Sequence, residues 1–201
     1  MSYSELSEPD EYISGLEGDD IIFVSNNNTG LLERNYIYGN EGNDVIVGGT
    51  SIDHIWGNSG DDTIYGGDYR STIEGGSGDD VIYAGLGDDS LYGGAGKDTF
   101  VMSFNPSSLF SDIDIHDFQV GLAADADVLD LSDALNYNQG DDITDFITFT
   151  DGGIGYTYGT ITLKIDVDGN ASVGTDILIK LIGTTGVDLN TMINDGNIVL
   201  F

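Results

Sequence analysis

The chain has 201 residues, with 36 Asp and Glu against 5 Lys and Arg, a formal charge of −31, and no cysteine. That balance makes nucleic acid and anionic membrane poor partners and divalent cations good ones, while the missing cysteines exclude disulfides and thiolate metal sites. A hydrophobic share of 39%, with 11 Tyr and 8 Phe, is too high for a disordered acidic tail, so a folded chain that needs its charge offset is expected.

The opening stretch, MSYSELSEPDEYISG, is acidic and polar. It does not read as a Sec signal peptide, and no run approaches a transmembrane span. Export by a route without an N-terminal signal is expected.

Next comes a nonapeptide repeat. LSEPDEYIS (6–14) and GLEGDDIIF (15–23) set the frame, VSNNNT (24–29) interrupts it, and GLLERNYIY (30–38) resumes it. Seven nonamers then run without a gap from Gly39 to Val101: GNEGNDVIV, GGTSIDHIW, GNSGDDTIY, GGDYRSTIE, GGSGDDVIY, AGLGDDSLY and GGAGKDTFV. The eighth position is always apolar: Ile13, Ile22, Ile37, Ile46, Ile55, Ile64, Ile73, Ile82, Leu91 and Phe100. In each unit six residues are expected to turn and three to form a strand whose middle side chain points inward. At two units per turn and about 4.7–4.8 Å per turn, ten units make a roll on the order of 24 Å long.

Alternate units fall on opposite sides of such a roll. Side one has turns beginning at Gly15, Gly39, Gly57, Gly75 and Gly93. Each carries glycine at position four (Gly18, Gly42, Gly60, Gly78, Gly96) and aspartate at position six (Asp20, Asp44, Asp62, Asp80, Asp98). Side two is uneven, with Asn35, Asp53, Ser71 and Asp89 at position six. Ordinary Asp-Gly turns need no fixed sixth-position aspartate, whereas Ca²⁺ takes six to eight hard oxygens.

The pattern resembles G-G-x-G-x-D-x-U-x, the hemolysin-type calcium-binding repeat of RTX proteins, across about half the chain. The resemblance implies a right-handed parallel β-roll. It also implies ions between turns stacked on one side, held by both sixth-position carboxylates and by backbone carbonyls of the first four residues. Side one then offers about four Ca²⁺ sites, between Asp20 and Asp44, Asp44 and Asp62, Asp62 and Asp80, and Asp80 and Asp98. Sites using Asp53 or Asp89 on side two should be weak or absent.

After Val101 the frame dissolves. SDIDIHDFQVGLAADADVLDLSDAL (111–135) resembles the segment that closes RTX rolls, with extra residues around Ala123–Ala126. Asp117 and Asp127 are candidates for a capping ion or for polar caps on a strand end. From Ile143 the alternation predicts antiparallel strands with Gly-rich turns. Asp166-Val167-Asp168-Gly169-Asn170 looks like an EF-hand opening but lacks its closing Glu, so a hairpin turn is expected. A short helix is expected over Asp188–Asn194, and GNIVLF ends the chain as a strand.

Residues 111–201 resemble the type I secretion C-terminal target domain of large RTX adhesins. That implies an export signal in Asn197, Ile198, Val199, Leu200 and Phe201, and as partners a type I ABC exporter, its outer-membrane channel and the remainder of a larger polypeptide. The chain thus divides into a β-roll (1–110) and an export and capping region (111–201), mainly antiparallel and packed on or beside the roll. The strands after side-one turns present aliphatic residues outward, among them Ile21, Phe23, Val45 and Val47, and the C-terminal strands are expected to cover that face.

No HExxH and no GxSxG is present, so a non-enzyme is expected. The two histidines, His54 and His116, suggest no metal or catalytic cluster of their own. Outward Thr63, Thr72 and Thr99 are too scattered for an ice-binding face. Trp56 and its tyrosine neighbours are a candidate sugar surface or an ordinary amphipathic one. The reading is a calcium-dependent folding and type I secretion module of an exported protein, with a stand-alone adhesion module as the alternative.

Overall fold

The structure is a computed structural model that describes residues 10–24, 34–103, 110–135, 142–151, 159–166, 176–184 and 186–200. Ten strands alternate through the repeats: β1 (Asp10–Glu17), β2 (Ile21–Phe23), β3 (Arg34–Glu41), β4 (Val45–Val47), β5 (Ile52–Ser59), β6 (Thr63–Tyr65), β7 (Ser71–Ser77), β8 (Val81–Tyr83), β9 (Asp89–Ala95) and β10 (Thr99–Val101). Odd strands pair in parallel in one sheet and even strands in the other, as a β-roll requires. The six-residue insertion leaves the stacking intact, because Ile13 still pairs with Ile37 and Ile22 with Ile46.

The eighth-position side chains form the core. Ile37, Ile46, Ile55, Ile64, Ile73, Ile82, Leu91 and Phe100 are fully buried. Burying each such side chain is worth about 1.5–3 kcal/mol, and only the rungs above and below supply the burial. The strands are unequal, however. Those after side-one turns have the expected three residues, but β3, β5, β7 and β9 run seven or eight, reaching into the next turn. The ladder there continues past the unit boundary, as Asn40↔Asn58 and Gly76↔Gly94 show.

The second half extends the roll. β11 (Phe110–Ile115) pairs in parallel with β9, and β12 (Val128–Asp130) with β10. β15 (Asp176–Ile182) then adds in parallel to β11, and β16 (Ile198–Val199) to β12. The apolar ladder therefore continues from Leu91 through Ile115 to Leu181, and from Phe100 through Leu129 to Ile198. β14 (Thr160–Asp166) and β13 (Ile147–Asp151) finish the larger sheet as antiparallel strands. One hydrophobic cluster runs through both halves.

Among the described residues, the C-terminal strands do not give the expected cover to the outward face of the side-one strands at Ile21, Phe23 and Tyr65. The C-terminal strands sit beside the roll at its end, and Ile21, Phe23 and Tyr65 are 48%, 59% and 37% exposed. An open sheet edge leaves a row of backbone groups unpaired as well as an uncapped core. Closing that end satisfies both demands, whereas covering a half-buried face satisfies only the apolar one.

Other expectations hold. β14 and β15 pair antiparallel as the arms of a hairpin, although residues 167–170 lie outside the described residues. The helix α1 (Leu189–Asn194) is capped by Asp188, whose side chain accepts from the Thr191 N–H at 2.9 Å, and it buries Leu189 and Met192. No described helix is long and apolar enough to cross a membrane.

Candidate metal centre

The sixth-position aspartates of side one form a row. The backbone N–H of each donates to Oδ1 of the next: Asp20 to Asp44 at 2.8 Å, Asp44 to Asp62 at 2.7 Å, Asp62 to Asp80 at 2.8 Å and Asp80 to Asp98 at 3.0 Å. Asp44, Asp62, Asp80 and Asp98 are at most 1% exposed. In all five residues, however, the second oxygen, Oδ2, is buried without a hydrogen-bond partner. A buried carboxylate oxygen with nothing donating to it is costly unless a cation is meant to sit there.

The first glycine of each turn shows what surrounds those oxygens. A Cβ added at Gly15 would meet Asp20 Oδ2 and the Gly39 carbonyl, each at 2.8 Å. The same pairing recurs at Gly39 with Asp44 and Gly57, at Gly57 with Asp62 and Gly75, and at Gly75 with Asp80 and Gly93. At Gly93 the three nearest atoms all belong to Asp98. Carboxylate and carbonyl oxygens thus converge on one small space per turn, and that donor set suits a hard cation. Among the described residues no three acidic or histidine side chains cluster as a metal site. Backbone carbonyls such as those of Gly39, Gly57, Gly75 and Gly93 are the further oxygens beside each carboxylate.

Electrostatics agree. Burial pushes Asp62 up to about 6 and Asp80 and Asp98 up to about 7, against partial relief from the ladder hydrogen bonds, and neighbouring aspartates push further. Asp44 is raised for the same first reason. Carboxylates one rung apart, about 4.8 Å, repel by roughly 3.5 kcal/mol per pair at an effective dielectric near 20.

A second ladder, at position five, was not expected from the repeat. The side chains of Asp19, Asn43, Asp61 and Asp79 accept from the N–H of Asn43, Asp61, Asp79 and Lys97 at 2.8–2.9 Å. It runs opposite to the sixth-position ladder. Its signal is present in the sequence as Asp or Asn at position five of four consecutive side-one turns, with a non-acceptor, Lys97, only at the last.

Side two differs. Asp53 and Asp89 are buried, and their Oδ2 atoms lack partners like those of side one. Burial pushes both up to about 7. Neither has a carboxylate neighbour along its row. Asn35 donates from Nδ2 to Asp53 Oδ1 at 2.6 Å, Ser71 lies between the two aspartates, and Asp89 pairs with Ile113 beyond.

At the end of side one, Asp127 takes the next place in the row. It accepts from the Asp98 N–H at 2.9 Å and from the Gln119 N–H at 2.8 Å, so both of its oxygens are used. Asp117 accepts from the N–H groups of Gly93 and Gly94 at 3.0 and 2.9 Å. All four oxygens of this pair thus accept backbone N–H groups at the end of the row. Asn197 ties the tail to the cap, donating to the Asp127 carbonyl at 2.9 Å and accepting from the Gly121 N–H at 3.0 Å. Ile198 and Leu200 are buried and Val199 is half-buried, while Phe201 lies outside the described residues.

The outward aromatics stack on one another. Tyr12, Tyr36 and His54 form one file, with ring centroids 4.8 and 5.2 Å apart, and Tyr38 and Trp56 form another at 4.8 Å. The interplanar angles are 7–11°, so neighbouring rings stack face to face. That arrangement stabilises neighbouring rungs.

The family model described as the RTX calcium-binding nonapeptide repeat (4 copies) matches residues 38–68 and 65–100. No curated protein matches the chain. Among solved structures, the AlgE6R3 subunit of the Azotobacter vinelandii mannuronan C5-epimerase is similar over 81% of this chain and 71% of that one, at 19% identity and a TM-score of 0.34. The extracellular lipase LipA of Serratia marcescens is similar over 100% of this chain and 41% of that one, at 14% identity and a TM-score of 0.33. Residues 38–100 thus match the RTX calcium-binding nonapeptide repeat.

Proposed function

We propose that this chain is a calcium-dependent folding and type I secretion module of a larger exported RTX protein, an adhesin, working outside the cell or at its surface. The observation that carries the calcium reading is the row of five unpartnered Oδ2 atoms, from Asp20 to Asp98. Side one holds about four ions, each between two successive aspartates. The carbonyls of the turn residues from Gly15 to Gly18, and their counterparts at 39–42, 57–60, 75–78 and 93–96, complete the shells. The bound cations offset the buried carboxylates; the protein's part is to place the oxygens and keep water from them.

Residues 1–110 carry the calcium in this reading. Residues 111–201 cap the roll and carry the export signal, with Asn197–Phe201 in it. A chain at −31 stays expanded without cations, so it can pass an ABC exporter and its outer-membrane channel unfolded and fold where calcium is plentiful. The role is structural and not catalytic. The test has two arms. Circular dichroism with chelator and then with millimolar Ca²⁺ should show a largely unfolded chain becoming β-rich, and an identical β spectrum in both would sink the folding claim. A passenger fused to residues 111–201 should be secreted by a matching type I exporter, and retention in the cell would sink the export claim.

A further inference from the structure

Ser71 occupies the sixth position of the turn Gly66–Ser71, where side one always has aspartate. It is fully buried. Its hydroxyl donates to the Gly66 carbonyl at 3.0 Å, with the Tyr69 carbonyl also within reach at 3.2 Å. Those two carbonyls stand at positions one and four of the turn, among the carbonyls that the calcium reading reserves for metal. The hydroxyl proton therefore meets the lone pairs that an ion would otherwise meet. The backbone N–H of Ser71 still donates to Asp89 Oδ1 at 2.7 Å, so the rung-to-rung ladder is kept while the metal-binding group is replaced.

The neighbouring turns point the same way. A Cβ added at Gly66 would meet the Ala84 carbonyl and Ile73 Cδ1, with no carboxylate among its nearest atoms, unlike Gly48, where Asp53 Oδ2 lies at 2.5 Å. In the turn Ala84–Asp89 the first residue is alanine, so a methyl group stands where side-one turns have only the space between carboxylate and carbonyl. Asn35 donates its amide to Asp53 Oδ1 and leaves Asp53 Oδ2, like Asp89 Oδ2, without a partner. With Asn35 and Ser71 as neighbours, however, Asp53 has no second carboxylate along its row with which to share an ion.

We infer that Ser71 is a built-in substitute for calcium: its hydroxyl closes the turn Gly66–Ser71 from within, leaving side two a metal-free edge while calcium loads side one alone. This rests on the side-one calcium reading. The physical distinction is that the hydroxyl is always present and brings no charge, whereas an ion must be recruited. The turn Gly66–Ser71 therefore needs no ion of its own once the roll forms, and side one makes folding respond to calcium.

Native mass spectrometry of the full chain in calcium, counting bound ions, tests the inference. Asp53→Asn and Asp89→Asn should each leave the ion count of the parent unchanged. Ser71→Asp should restore a run of three aspartates (53, 71, 89) and gain one or two ions. Ser71→Ala should gain none and should lower the melting temperature of the calcium-loaded form. Loss of an ion in Asp53→Asn, Asp89→Asn or Ser71→Ala would overturn the inference, because side two would then be binding metal. A folded Ser71→Asp chain that gains no ion would also overturn it; if that variant does not fold, the two Asn variants decide. A parent count other than four, with Asp53→Asn and Asp89→Asn still silent, would count against the side-one reading and leave the role of Ser71 standing.

Discussion

The backbone N–H of Asp62 donates to Oδ1 of Asp80 at 2.8 Å, while Oδ2 of Asp80 is buried with no partner. One oxygen of the carboxylate thus holds the preceding rung in register, and the other is the oxygen that the proposed function assigns to calcium. The same side chain serves the backbone ladder and the metal row, which is why its replacement should be felt in both folding and calcium response.

Calcium should be inseparable from folding. Five carboxylates in one buried row cannot all be charged and compact without a counter-ion. Binding free energy then appears as folding free energy. Titrating chelated protein with Ca²⁺ should give a cooperative rise in β signal with a midpoint on the order of 10⁻⁴–10⁻³ M. A β signal unaffected by calcium would contradict this.

The two sides should respond unequally to substitution. Asp62→Asn keeps an Oδ1 acceptor for the Asp44 N–H but weakens two side-one sites at once. Each site contributes roughly 2.7 kcal/mol when calcium stands 100-fold above its Kd, so the calcium midpoint for folding should rise markedly. Asp53→Asn should shift it little. Equal shifts, read by circular dichroism, would reverse the assignment of sides.

The metal-free chain should be more ordered in mild acid than at neutral pH. Burial, first of all, raises Asp80 and Asp98 to about 7 and Asp62 to about 6 from an ordinary 3.8. The folded state therefore holds protons that the unfolded state releases. Its stability is fullest below about 4 and is lost as pH climbs through 6 to 7. The calcium-loaded form should show the opposite trend, because protons compete for the same oxygens. Circular dichroism of metal-stripped and calcium-loaded samples at about pH 7.5 and about pH 5, on either side of the raised values, checks both signs.

Gly60 should tolerate no side chain. It has φ +122°, and an added Cβ would lie 2.5 Å from the Gly42 carbonyl carbon and 2.8 Å from Asn43 Oδ1. Gly60→Ala should cost the left-handed strain of about 1–2 kcal/mol plus about 1–3 kcal/mol for overpacking. Gly18→Ala, at φ +96° with nothing within 4 Å, should carry only the strain. The difference should appear as a larger loss of melting temperature in calcium for Gly60→Ala.

Removing Asn197–Phe201 should abolish secretion of a passenger fusion while leaving side one able to bind calcium. The tail pairs with the far end of the smaller sheet, through Leu129↔Ile198 and the Asn197 contacts to Asp127 and Gly121. Undiminished secretion would remove the tail from the signal. Loss of calcium binding together with secretion would mean that the last rung is needed for the roll itself.

The repeat made the first ten strands legible from sequence alone. A nine-residue period puts the same chemical type at the same place in every rung, so Ile46 and Ile64, or Asp44 and Asp62, declare their pairing by spacing. The position of the unpartnered carboxylates could be named for the same reason. Beyond Val101, tertiary structure alone decided the pairing. Ile115 meets Leu181 and Leu129 meets Ile198 across long connections of irregular length, and no period survives there to announce the contact. It also decided that the C-terminal strands close the end of the roll and leave Phe23 and Tyr65 exposed, since an open edge and an open core end are satisfied together by one more rung. And it separated Ser71 from the aspartates around it: sequence marks a missing ligand there, but only the placed hydroxyl shows the turn closed by its own proton.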